Sequence, residues 1–227
     1  MKHLERFFQW LQHGLRGERR IIVIGAAIII LGVSQFVYLN LYIYPSSSNI
    51  LKTLTRLGTP SSPATEKARK KLKKWGPAVI DEIAEFCSDV ESPVLMQKSL
   101  QRASAAEILS SFYSNPRAIS ALIDLTRSED GAVRKKAVCE LRYQWGKGVT
   151  GTLLSTIHAG DVKLTVMDGS KPVLYRDFDI TAVESLIAMK NLWMTKDLKA
   201  AEKIADVLEK ALEYPRVADK ARQALGR

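Results

Sequence analysis

An alanine followed one helical turn later by a leucine recurs along this 227-residue chain as Ala68 and Leu72, Ala105 and Leu109, Ala137 and Leu141, Ala182 and Leu186, and Ala221 and Leu225. Successive alanines are 37, 32, 45 and 39 residues apart. A small residue lets a neighbouring helix approach closely, and a leucine one turn on interlocks with it, so a chain carrying this recurrence is constrained to stack helices. The clearest unit runs from Asn115 to Gly148. Asn115 is a good N-cap, Pro116 follows in the first helical position where its missing N–H costs nothing, and Ile119, Leu122 and Ile123 then recur at helical spacing. Ser128 to Gly131 breaks that helix. A second helix is expected from the stripe Val133, Ala137, Leu141 and Trp145, with Gly146 and Gly148 as its stop.

First helices for the other units are expected over Ile50 to Leu57, Ala78 to Ser88, Val149 to His158 and Lys196 to Glu213. The openings Pro116-Arg117-Ala118-Ile119 and Asp130-Gly131-Ala132-Val133-Arg134, with the junction Lys73-Lys74-Trp75-Gly76-Pro77-Ala78-Val79-Ile80, resemble the HEAT repeat, of the kind shared with phycobilisome lyase-like repeats. The resemblance covers about 50–227 and is poorest in the fourth unit. There DVKLTVMDGSKPVLYRDFD, about 161–179, separates the two helices and reads as a hairpin: Val162, Leu164 and Val166 alternate, Asp168-Gly169 turns, and Val173 to Tyr175 return. Such a hairpin either grips a partner or covers an apolar edge.

The N-terminal part reads differently. Residues 1–20 place Leu4, Phe7, Phe8, Leu11 and Leu15 on one helical face, as in an interfacial amphipathic segment. Ile21 to Tyr44 contains no charged residue and is long enough to cross a hydrocarbon core that needs roughly 20 residues. Arg19 and Arg20 flank one end and Tyr38, Tyr42 and Tyr44 gather at the other, which predicts a transmembrane helix over 21–44 and a linker over 45–49. The expected fold class is therefore all-α: an N-terminal transmembrane helix, then an α-solenoid of about five HEAT-like helix pairs over 50–227 with a β-hairpin insertion in the fourth. Lys2, Arg6, Arg16, Arg19 and Arg20 outnumber Lys52 and Arg56 across the span, so the N-terminus is expected in the cytoplasm. The repeat domain is then expected beyond an inner membrane, periplasmic or otherwise extracytoplasmic.

Catalytic chemistry finds little footing. Cys87 and Cys139 are the only cysteines and lack metal-ligand spacing. Gly146-Lys147-Gly148-Val149-Thr150-Gly151 satisfies the dinucleotide fingerprint, but a helix is expected before it where that fingerprint needs a strand. Asp81, Glu82 and Glu85 read as a solvated face, and Ser155 with His158 lacks an orienting acid. No catalytic residue, metal site or cofactor is expected.

Charge is the more informative signal. The formal net charge is +10, of which +7 falls beyond the first 45 residues. Second helices carry the cations and first helices tend to acid; since the resemblance implies that second helices line a concave surface, it implies a basic groove there. Lys70, Lys71, Lys74, Arg134, Lys135 and Arg142 are the candidate partner-binding residues. The expected function is a non-catalytic, membrane-anchored scaffold or interaction subunit of a membrane assembly, with protein partners and with membrane lipid held through Ile21 to Tyr44. The resemblance also suggests a lyase-like or maturation accessory presenting a cofactor or substrate, and the basic groove suggests a binder of anionic lipid or polyanion. A nucleic acid partner is not expected, because no aromatic interleaving suggests base stacking.

Overall fold

The recurrent Ala-x-x-x-Leu stripe is what the tertiary structure is built on. In the computed structural model, which describes residues 45–58, 62–90, 94–146 and 148–227, both members of the stripe are buried in every unit except the last, where Leu225 is half-buried. The helices are α1 (Ser47–Leu54), α2 (Pro63–Trp75), α3 (Ile80–Ser88), α4 (Met96–Ser110), α5 (Pro116–Leu125), α6 (Gly131–Glu140), α7 (Val149–Ala159), α8 (Phe178–Met194), α9 (Leu198–Ala211) and α10 (Pro215–Leu225). Odd-numbered helices pack on their odd neighbours, even-numbered on their even neighbours, and each pair closes on itself, giving two layers of helices with one core between them.

Local chemistry explains the boundaries. The Asn115 side chain accepts hydrogen bonds from the backbone N–H groups of Arg117 (3.0 Å) and Ala118 (3.4 Å), and Asp130 does the same for Ala132 (3.1 Å) and Val133 (3.3 Å). Asp197 caps α9 through the N–H of Ala200 at 3.2 Å. α6 ends earlier than the stripe suggests, at Glu140, and continues as a 3₁₀ turn over Leu141–Tyr143. Leu141 is nonetheless fully buried, because a 3₁₀ turn keeps a residue one turn on near the same face. Gly146 and Gly148 lie between the 3₁₀ turn and α7, and among the described residues no strand precedes them; Gly148 adopts φ 92° before α7, a conformation that favours glycine.

Between α7 and α8 the hairpin forms as β1 (Leu164–Asp168) and β2 (Lys171–Tyr175), with Asp168 opposite Lys171. Its turn is Gly169-Ser170, one residue later than Asp168-Gly169, and Val162 precedes the strand. Val166 is fully buried and the hairpin packs on α4 and α6, so it covers part of the even-helix layer. The Met167 N–H donates to the Val94 carbonyl at 2.7 Å, which ties β1 to the chain just before α4.

The membrane expectation is corrected. The predicted span Ile21 to Tyr44, together with the amphipathic segment before it, lies outside the described residues. Among the described residues no helix is long and apolar enough to cross a membrane. The longest, α8, has 17 residues and contains Asp179, Glu184 and Lys190, and its Ala182, Val183, Leu186 and Met189 side chains are buried in the protein core. A single-pass inner-membrane protein with a periplasmic repeat domain is therefore not supported. What the described chain shows is a mostly helical structure with one small two-stranded sheet.

Candidate functional site

The even-numbered helices present a surface crossed by ion pairs. The Arg69 guanidinium on α2 donates to both carboxylate oxygens of Glu107 on α4, at 2.8 and 2.7 Å. Glu107 also takes Lys136 of α6 at 2.7 Å, and Lys136 reaches Glu140 one turn along at 3.1 Å. Ser110 donates to the other oxygen of Glu140 at 2.6 Å. Further along, Glu184 of α8 meets Lys220 of α10 at 2.7 Å. Burial by itself pushes the Glu107 carboxyl up, but the hydrogen bonds and charges of Lys136 and Arg69 outweigh it and hold it below its ordinary value. Lys136 is the mirror case: burial pulls its ammonium down, and Glu107 and Glu140 hold it above its ordinary value.

Those acids qualify the charge segregation expected from sequence, which left out Glu107, Glu140 and Glu184. A signal was present. Glu107 and Glu184 each stand two places after the alanine of their Ala-x-x-x-Leu pair, on the helix face turned away from the buried stripe.

The six nominated cations fall into separate places. Lys70, Lys71 and Lys74 are exposed on α2, and Lys71 lies over the Trp75 ring at 4.8 Å. Arg142 sits in the 3₁₀ turn after α6, over Tyr143 at 4.6 Å. Arg134 is half-buried over the Phe178 ring at 5.0 Å, and burial pulls its guanidinium below the ordinary value. Lys135 is exposed at the rim of a cleft.

That cleft, about 540 Å³, lies between α4, α6, α8 and the end of β2. Ala103, Ala132 and Cys139 give it a floor of small side chains, Tyr175 walls one side, and Lys135, Lys136, Asp177 and Glu184 rim it with both signs of charge. Its wall is held by contacts that sequence reasoning missed. A Cβ added to Gly131 would stand 2.6 Å from Tyr175 Cβ, so the aromatic ring rests on a bare backbone. Below it lies a buried polar group: Asp130, fully buried, accepts from the Ser99 hydroxyl and faces the Arg102 guanidinium at 3.7 Å. Arg216 of α10 fastens both feet of the hairpin, meeting Asp161 on the entering strand side at 3.0 Å and Asp177 and Asp179 on the leaving side at 2.8 and 3.3 Å. Asp177 is held there at φ 61°, a left-handed conformation uncommon outside glycine.

His158 Nδ1 lies 3.1 Å from the Tyr214 hydroxyl, and Asp81 is paired with Arg117 at 2.7 Å. Cys87 is buried and donates to the Arg102 carbonyl at 3.3 Å; burial pushes both its thiol and that of Cys139 up, away from the reactive thiolate. Both cysteines are free. Among the described residues no group of three or more His, Cys, Asp or Glu side chains is placed to hold a metal ion.

The HEAT reading is corrected at this point. The openings that carried it, Asn115-Pro116 and Asp130-Gly131, are side-chain caps of a kind any stacked helix pair needs. No protein-family model matches the chain and no curated protein is significantly similar to it, so its description rests on the helix stack and the hairpin cleft themselves.

Proposed function

We propose that the chain is a non-catalytic protein-binding array whose partner is seated in the cleft between α4, α6, α8 and the hairpin. The observation that carries this reading is the cleft's construction: a floor of small side chains, a rim of both charge signs, and a wall fixed by Arg216 and by the Gly131–Tyr175 contact. A preformed concavity lowers the ordering cost of binding, and a mixed rim favours a protein segment over a uniformly charged polymer. Pairing of Arg69 and Lys136 with Glu107 supports the same choice, because cations already matched by carboxylates contribute little to holding a polyanion.

The test is site-specific photocross-linking of the full chain in its own cells. A photoreactive residue at Lys135, on the rim, is expected to capture a discrete protein that the same residue at Glu202, on α9, does not. Equal capture at both positions, or none at Lys135, removes the cleft from consideration.

A further inference from the structure

The even-numbered helices end on the edge of the stack opposite the hairpin, where the connections to the next pair lie. Contacts run along this edge from unit to unit. The Gln144 side chain donates to the Ser110 carbonyl at 2.7 Å, joining the ends of α4 and α6, and Trp145 packs on Trp193 with ring centroids 5.2 Å apart, joining α6 to α8.

Two properties set the edge apart. Of seven exposed large apolar side chains among the described residues, four are here: Tyr113, Tyr143, Met194 and Leu198. A soluble surface has no internal reason to concentrate them in successive connections. The cations beside them are also unlike those of the even-helix surface. Lys71 covers Trp75 (4.8 Å), Arg142 covers Tyr143 (4.6 Å) and Lys196 covers Trp193 (5.9 Å), and none of the three has a carboxylate partner among the described residues. The buried Nε of Arg142 and Nε1 of Trp193 have no acceptor among the described residues. The carboxylates nearby are committed, Asp81 to Arg117 and Asp197 to capping α9.

We propose that this edge is a second docking surface, for an acidic amphipathic segment of a partner protein, independent of the cleft. The segment's apolar side chains would lie on Tyr113, Tyr143 and Leu198, and its carboxylates would meet Lys71, Arg142 and Lys196. Charge complementarity selects the sign of the partner. Single-stranded nucleic acid fits less well: the cations already cover the Trp75, Tyr143 and Trp193 faces on which bases would stack, and Met194 and Leu198 offer no ring.

The experiment uses the full chain and a fluorescent synthetic helix of about four turns, with Glu on one face and Leu and Phe on the other, beside its counterpart with Lys in place of Glu. The acidic peptide is expected to bind and the lysine peptide is not. Reversing charge in an Arg142→Glu, Lys196→Glu variant, or removing apolar surface with Tyr143→Ser and Leu198→Ser, is expected to weaken binding about tenfold or more. Lys135→Glu, in the cleft, is expected to leave it unchanged, which separates failure of this proposal from failure of the cleft reading. Carbodiimide cross-linking of the wild-type complex gives a readout free of folding defects and is expected to join the peptide to Lys71 or Lys196. Equal binding of the two peptides, cross-links confined to Lys135 or Lys136, or unchanged affinity in a charge-reversal variant of native circular dichroism would overturn the proposal.

Discussion

The two ends of the even-numbered helices have been used in opposite ways. At the N-terminal end of α6, Asp130 is buried under its cap hydrogen bonds, Ser99 and Arg102, Gly131 is pressed against Tyr175, and Arg216 ties the hairpin down. At the C-terminal ends the cations rest on aromatic rings and large apolar side chains stay exposed. Between them, the surface carries a ladder of matched charges. The same helices thus bury a charged pair at one end, whereas at the other, beside the internal Gln144–Ser110 and Ser110–Glu140 hydrogen bonds, they leave cations on aromatic rings at the surface, and that difference locates the second docking surface.

The largest break in this contrast should come from Asp130→Ala. It removes the α6 cap and leaves the buried Arg102 guanidinium without the one carboxylate paired with it among the described residues, at an expected cost of about 3–5 kcal/mol in urea unfolding. Asp130→Asn, which keeps the cap, should recover part of it. Next is Gly131→Ala. Its methyl would overlap Tyr175, and either the hairpin or the first turn of α6 must shift, for about 1–3 kcal/mol of destabilisation and faster proteolysis between β1 and β2.

A smaller effect, about 1 kcal/mol, is expected of Glu107→Gln, which leaves Arg69 with Glu66 alone and Lys136 with Glu140 alone. Its pH dependence has a defined sign. Glu107 is held below its ordinary 4.5, so its contribution is complete above that value and is lost as pH falls through the lowered one. Lys136 is held above its ordinary 10.5, so its contribution is complete below that value and is lost as pH rises past it. Wild type minus variant stability should therefore be flat through neutrality and shrink in acid. A difference that persists unchanged to the acid limit would mean that the ladder does not stabilise the stack through Glu107's charge.

Sequence by itself determined the helix pairs. The recurrent Ala-x-x-x-Leu pair, the cap Asn115, and the apolar positions Ile119, Leu122 and Ile123 are local signals, since helix spacing and capping depend on residues within a few positions of one another. The hairpin was legible for the same reason, to within one residue at its turn. Only the tertiary structure decided which charges meet. Arg69 and Glu107 are 38 residues apart, and Arg216 and Asp177 are 39 apart, so a reading by helix type counted the cations of the even layer and missed the acids that neutralise them. The tertiary structure also placed Lys135 at the cleft, Arg134 over Phe178, and Lys71 and Arg142 on the aromatic edge, because a side chain's partner is set by how helices from different units pack. Periodicity names the face a residue is on, and packing alone says what that face is against.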